Sequence, residues 1–330
     1  MRNKYKVNVV VPIYNSLEWL KLCVDGIFKN TNMDIINKVY LIDDCSNEET
    51  KEWLVKTERR YGQYVKVIFN KNNLGFVKTC NKGLRLSLKD QADYVLLLNT
   101  DCVVSKNAIE KMANALDKNK NVGLLCPISS VAANLSYPIP EGLNFMQVNN
   151  IFEKKFKGKL FDACTVVGNC LMISKKCIEK TGLFDEIFGK GYTEETDYQF
   201  KALEQGYDAK VLIDTYVYHQ CRVSFGESEK QLAIRAEHLK IFFERWSKEY
   251  NKRMEKYVKN DPIQYINDNV NYEDIVYEDC IKIKTREQLE KISPIINKLI
   301  FDGVDVKVIC KEKILNEYKG IMLFNPARRK

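Results

Sequence analysis

The chain has 330 residues, 45% of them hydrophobic, enough for a sizeable core and, at that length, for one large domain with a smaller appendage. Its 52 lysines and arginines against 44 acidic residues leave a net charge of +8. That surplus suits a phosphorylated ligand or an anionic surface but is too weak for a nucleic-acid binder, so no nucleic acid is expected among the partners.

In chain order, VNVVVPIY reads as a buried strand, after which Leu17, Leu20, Val24, Ile27 and Phe28 recur at helical spacing. VYLIDD is a second strand, followed by a helix carrying Trp53 and Leu54, then the strand VKVIF. The loop NKNNLG leads into a helix with Phe76, Cys80, Leu84 and Leu88 on one face, and YVLLL is a fully apolar strand that ends in Asn99, Thr100 and Asp101. Strands alternating with helices at this rhythm predict right-handed crossovers and a mostly parallel sheet covered on both faces. Polar residues gather where the strands stop: Tyr14 and Asn15, Asp43 and Asp44, Asn72 and Asn73, then Asp101. In an open α/β sheet those ends form one rim, and ligands bind along it.

From about residue 226 a long amphipathic helix is expected, with Leu232, Leu239, Phe242, Phe243, Trp246 and Tyr250 as a core-packing stripe. Residues 259–272 are polar, include Pro262 and read as a linker between a catalytic domain over 1–258 and a small α/β unit over 273–330. In that unit CIKIK, VDVKVIC and GIMLF read as strands around a helix carrying Leu289, Ile292 and Ile296; it reads as the start of a second domain. The 11 cysteines are odd in number, lack metal-type spacing and read as buried thiols of a reducing compartment. No run of about 18 apolar residues occurs and the first residues lead straight into a strand, so neither a signal peptide nor a membrane span is expected. The expected location is the cytoplasm, with peripheral contact at the inner face of a membrane and homo-oligomerisation left open.

Two places carry chemistry. Asp101 stands just beyond a buried strand, where a carboxylate suits a hard divalent cation such as Mg²⁺ or Mn²⁺ shared with substrate phosphates; capping a helix that begins near Ser105 is the alternative. Glu194, Glu195 and Asp197 crowd the start of a helix behind Thr193 as its N-cap. That pattern serves helix-dipole electrostatics, or it raises the proton affinity of one carboxylate toward general-base work. His219, one of two histidines, is either structural or part of the same site.

Over roughly residues 6 to 225 the chain resembles the inverting glycosyltransferases of family 2, which have the GT-A fold. The resemblance rests on VVVPIYN, LIDDCSNEET, NLGFVKTCNKGL, LLLNTDC, GLFDEIFGKGYTEETDYQFKALEQGY and VYHQ, six motifs in the family's order. It implies a nucleotide-diphosphate-sugar donor, UDP- or dTDP-linked, held by Pro12, Tyr14 and Asn15, by Asp44 with Asp43 beside it, and by Asn73, Gly75 and Phe76. Asn99, Thr100 and Asp101 stand where the family carries Asp-x-Asp; the first acid is Asn here, which leaves Asp101 as the main metal ligand for Mn²⁺ or Mg²⁺. His219 matches a histidine that completes the metal site in some members. Glu195 matches the catalytic base, where relatives more often carry Asp, and Glu194 and Asp197 form a secondary acidic cluster. The implied reaction is hexosyl or deoxyhexosyl transfer to a hydroxyl of a glycan, lipid-linked or protein acceptor in surface-glycan or glycoconjugate biosynthesis. A nucleotidyltransferase would show a Gly-rich basic loop after the first strand, which VPIYNSLEWL lacks. A non-catalytic relative is favoured by Asn99 and opposed by the retention of Asp101, Glu195 and His219.

Overall fold

The computed structural model describes residues 5–221, 229–272, 279–318 and 320–328. The first third is a run of strands and helices: β1 (Val7–Ile13), α1 (Leu17–Asn30), β2 (Ile36–Asp43), α2 (Glu48–Arg60), β3 (Val65–Phe69), α3 (Phe76–Lys89) and β4 (Tyr94–Leu98). β3, β2, β1 and β4 lie side by side and all parallel. The cause is local: β4 is apolar along its length and β1 apart from Asn8, and both bury their two faces, leaving room only for helical crossovers. α3 crosses β1 so closely that a Cβ on Gly83 would come within 2.2 Å of Val10 Cγ1, which only glycine permits.

The chain continues through β5 (Cys102–Val104), α4 (Ala108–Lys118), β6 (Val122–Ser129), α5 (Phe145–Phe156), β7 (Leu160–Asp162), β8 (Cys170–Ser174), α6 (Lys175–Thr181), α7 (Glu194–Glu204) and β9 (Asp208–His219). β8 inserts antiparallel between β4 and β6, and β9 lies parallel to β6 and antiparallel to the short β5 and β7. The result is one nine-stranded sheet in the order β3-β2-β1-β4-β8-β6-β9-β5, with β7 alongside β9. Expected as the strand KVLID with His219 beyond it, β9 instead runs twelve residues and includes His219 as its last. α4 begins at Ala108 behind Asn107, so Asp101 caps no helix.

After β9 come α8 (Glu229–Lys259), α9 (Pro262–Asn269), β10 (Asp279–Ile283), α10 (Arg286–Phe301), β11 (Val306–Cys310), α11 (Glu312–Glu317) and β12 (Ala327–Arg328). The expected start of α8 near residue 226 lies outside the described residues. Its apolar stripe is split: Phe242 and Trp246 are buried against Phe200 of α7, whereas Leu232, Leu239 and Phe243 are 53%, 46% and 41% exposed. The stretch expected as a linker holds α9, started by Asp261 accepting from the Ile263 and Gln264 amides, with Pro262 at its first turn and Ile266 fully buried.

β10, β11 and β12 form a separate parallel sheet. GIMLF, expected as a strand of that sheet, belongs elsewhere. Its end pairs with the segment before α5: Phe145 N–H donates to Leu323 O at 3.3 Å and Asn325 N–H to Leu143 O at 2.7 Å. Leu323 and Phe324 thereby enter the core cluster that includes Phe145, and the C-terminal unit covers one end of the main core. Among the described residues no helix is long and apolar enough to cross a membrane.

Candidate active site

The parallel order of β3, β2, β1 and β4 brings their C-terminal ends to one rim, as the polar strand ends require. At the end of β2, Asp43 and Asp44 are both buried. Asp43 accepts from the Ser46 amide and turns the chain. Asp44 faces the loop before α3: Oδ1 accepts from the Leu74 amide at 2.8 Å and the Asn70 side chain at 2.9 Å, and Oδ2 accepts from the Gly75 amide at 2.8 Å. The carboxylate is thus fixed in place by the loop it shapes, with lone-pair capacity left on Oδ2. Asn70, which also meets Thr79 and Lys82, organises this loop, while Asn72 and Asn73 are exposed. Gly75 has φ +83°, and Phe76 opens α3 half-buried. At the end of β1, Pro12 is half-buried, Tyr14 exposes its ring, and Asn15 is tied to the β2 turn through the Ser46 hydroxyl and the Asn47 amide.

At the end of β4, Asn99, Thr100 and Asp101 bridge to β5, and the β5–β9 pairing places Cys102 opposite His219. Asp101 Oδ1 and His219 Nε2 face each other at 3.5 Å, both residues largely buried. His219 is held by the residues after β6: its amide donates to Ser130 Oγ at 2.8 Å, that hydroxyl donates back to His219 O, and His219 Nδ1 lies 2.6 Å from Val131 O. A carbonyl only accepts, so Nδ1 carries a proton, and Nε2 is the ring atom that faces Asp101. A carboxylate oxygen and an imidazole nitrogen 3.5 Å apart are ligand atoms of the kind that a divalent cation takes. Asp101, Cys102 and His219 form a cluster of metal-ligating type, in which burial pushes the Cys102 thiol well above its ordinary range. Asn99 Oδ1 is buried with no hydrogen-bond partner among the described residues, a second oxygen free for a hard cation.

The acidic cluster divides. Burial first, and Glu195 second, push the Glu194 carboxyl well above its ordinary range; Glu195 is raised as well, chiefly by burial, while Glu194 and the Gly168 amide hydrogen-bond it and oppose the rise. Burial thus raises the proton affinity of the pair as a whole. Asp197 is separate: its Oδ1 accepts from Arg245 at 3.0 Å and from the Trp246 indole at 2.9 Å, and Lys201 lies 3.1 Å from Oδ2. Glu194 and Asp197, three residues apart on α7, meet different partners: Glu194 the Glu195 carboxyl, Asp197 the side chains of α8. Thr193, expected as the N-cap, sits at φ +77° and makes no side-chain cap bond.

Gly168 and Asn169 link the two halves of the site. The Gly168 amide bonds Glu195, and the Asn169 carbonyl accepts the Asn99 amide at 2.9 Å, next to Asp101. Sequence reasoning missed both residues, along with Asn70, Val131 and Arg245. The readable signal was the GN dipeptide just before the apolar strand CLMIS; the others stand in segments with no distinguishing pattern.

The profile of glycosyl transferase family 2 matches residues 8–182, more than half of the chain. The chain belongs to this family. Its glycosyltransferase relatives include GlyG of Streptococcus pneumoniae, 29% identical over 106 residues, which are 32% of this chain and 33% of that protein. The match thus spans about a third of that relative's length. Among solved structures, GalNAc-T7 with UDP, GalNAc and Mn²⁺ superposes with a TM-score of 0.58 at 19% identity, over 75% of this chain and 50% of that one. A mannosyltransferase from Pyrobaculum calidifontis with GDP-Man and Mn²⁺ gives 0.53 at 18%, over 73% and 64%. These likenesses are of fold, and the fold is the GT-A arrangement expected for a family 2 glycosyltransferase.

Proposed function

We propose that this family 2 glycosyltransferase transfers a sugar with inversion from a UDP- or dTDP-linked donor to an acceptor hydroxyl, with Asp101 and His219 holding a divalent cation and Glu195 as general base. The observation that carries the reading is the opposition of Asp101 Oδ1 and His219 Nε2 at 3.5 Å, at the end of the strand next to the nucleotide-type rim. Mn²⁺ or Mg²⁺ bound there supplies the positive charge that a departing nucleoside diphosphate requires. The residues of the rim do the rest. Asp44, fixed by the Leu74 and Gly75 amides, offers its remaining acceptor capacity to the N–H of a pyrimidine base, and the exposed Tyr14 ring lies at the same rim to stack on it. Glu195 takes the acceptor's proton, and its raised proton affinity suits that task. A single displacement needs no enzyme nucleophile, so the configuration inverts. The net charge of +8 and the 11 free cysteines support a cytoplasmic enzyme that meets an anionic acceptor or membrane face from the reducing side.

The deciding experiment is a panel of UDP-, dTDP- and GDP-sugars tested for Mn²⁺-dependent hydrolysis and thermal stabilisation. Stabilisation by a uridine or thymidine diphosphate that requires Mn²⁺ supports the reading. Preference for a guanosine donor, or binding that ignores chelation by EDTA, counts against it.

A further inference from the structure

The turn that delivers Glu194 and Glu195 to the site is sharply bent. Gly191, Tyr192 and Thr193 have φ of +112°, +72° and +77°, three successive positive values of which two belong to residues with a Cβ. Such backbone persists only where the surroundings over-determine it. They do so here from α8. His238 is 7% exposed, and its Nδ1 lies 3.0 Å from the carbonyl oxygen of Gly191 and 3.0 Å from that of Tyr192. Both partners only accept, so the imidazole donates to two successive carbonyls. The Phe188 ring meets the imidazole edge-on at 5.3 Å, and the Arg235 guanidinium lies 4.2 Å from the centre of the Tyr192 ring. The opposite side is in contact with the donor loop and the acid pair. A Cβ on Gly75 would stand 3.0 Å from Gly189 O, and one on Gly191 would stand 3.5 Å from Phe76 Cβ and 3.8 Å from Glu194 Oε2.

We propose that His238 is a positioning residue for sugar transfer: by tying two successive carbonyls of the 191–193 turn to α8, it fixes where α7 presents Glu195 to the acceptor. A buried histidine bonded to carbonyls is often structural alone. Two observations separate this one from that case. The carbonyls it holds stand directly before the acid pair, between that pair and the donor loop at Gly75 and Phe76. Further along, α7 has its own anchor to α8 through Asp197, Arg245 and Trp246. Loss of His238 therefore leaves the helix docked and frees only its leading end. The inference rests on the reading of Glu195 as the base.

The test uses the full chain with the sugar nucleotide that the donor panel selects. H238F keeps a ring against Phe188 and removes the donor; H238Q keeps a donor. H238F is expected to lower kcat by about 10- to 100-fold, the usual cost of a misplaced catalytic group, with donor KM and UDP–Mn²⁺ affinity within about twofold of the parent. H238Q is expected to recover most of the loss. Combined with E195Q, H238F is expected to add no further loss, because its effect passes through Glu195. Unchanged kcat in H238F, a parallel loss of UDP–Mn²⁺ affinity, or the same fold-loss in the E195Q background each overturns the proposal. Parental turnover in E195Q alone overturns instead the base assignment on which it rests. Should H238F not fold, H238M fills the same space without a donor and is judged by the same criteria.

Discussion

Arg245 of α8 lies 3.0 Å from Oδ1 of Asp197 on α7, and the Trp246 indole N–H reaches the same oxygen at 2.9 Å. Asp197 is fully buried, whereas Arg245 and Lys201 are about a third exposed. This carboxylate is spent on joining two helices. Asp197→Asn is therefore expected to cost stability, about 2–3 kcal/mol, less than the roughly 3–5 kcal/mol of breaking a fully buried ion pair because the cations keep solvent contact. It is expected to spare most of the turnover. Thermal melting read alongside kcat checks this. A variant that melts like the parent yet is inactive would return Asp197 to the list of candidate bases.

Asp101 and His219 share the proposed cation. Asp101→Ala is expected to lower turnover by about 10²–10³-fold, as when one preorganised electrostatic contact to a transition state is removed. His219→Ala is expected to be milder, with roughly tenfold weaker Mn²⁺ affinity, since water can take the vacated position. Metal titrations of donor hydrolysis distinguish them. Normal Mn²⁺ dependence in Asp101→Ala would show that the metal sits elsewhere.

Glu195→Gln keeps the shape of the side chain and removes the proton acceptor. Turnover is expected to fall by about 10²–10⁴-fold with UDP–Mn²⁺ affinity unchanged. The sign of the pH effect follows from burial, which raises the Glu195 carboxyl above the ordinary glutamate value of 4.5. A base works deprotonated, so activity is lost as pH falls through that raised value, at a higher pH than for an exposed glutamate. The acid limb of the kcat profile should therefore lie above the ordinary carboxylate range and disappear in Glu195→Gln. An acid limb that survives in the variant belongs to another group.

Removal of residues 259–330 tests the C-terminal unit. Ile266 and Leu323 are fully buried and Phe324 nearly so, in the cluster that contains Phe145. At about 1.5–3 kcal/mol per buried apolar side chain, the truncated chain is expected to lose on the order of 5 kcal/mol and to melt well below the parent. The Tyr272–Tyr137 hydroxyl contact at 2.6 Å is lost with it. Donor-rim residues Asp44 and Gly75 touch none of this, so UDP–Mn²⁺ affinity at low temperature is expected to hold. Unchanged melting would mean that the unit folds as an independent domain.

Periodicity carried the first half of the fold. The alternation of apolar strands and amphipathic helices from Val7 to Leu98 determines β1 to β4 and their parallel order, because each local segment prefers one conformation and the crossovers admit one hand. The polar strand ends, Asp44 and Asp101 among them, were legible for the same reason. The antiparallel insertion of β8 was not, since CLMIS reads as a buried strand without naming its neighbours.

What only the tertiary structure decided is which polar groups meet. His219 stands opposite Cys102 because β9 extends to pair with β5, and its tautomer follows from a carbonyl of Val131, a residue distant in sequence. Glu194 and Asp197 share a helical face in sequence, yet Arg245 and Trp246 claim one while Glu195 keeps the other. Backbone preference acts over a few residues and is written in the local sequence. A metal site or a proton-sharing pair depends on sub-ångström distances between remote segments, and those are set by strand register and by which side chains fill the space between packed helices.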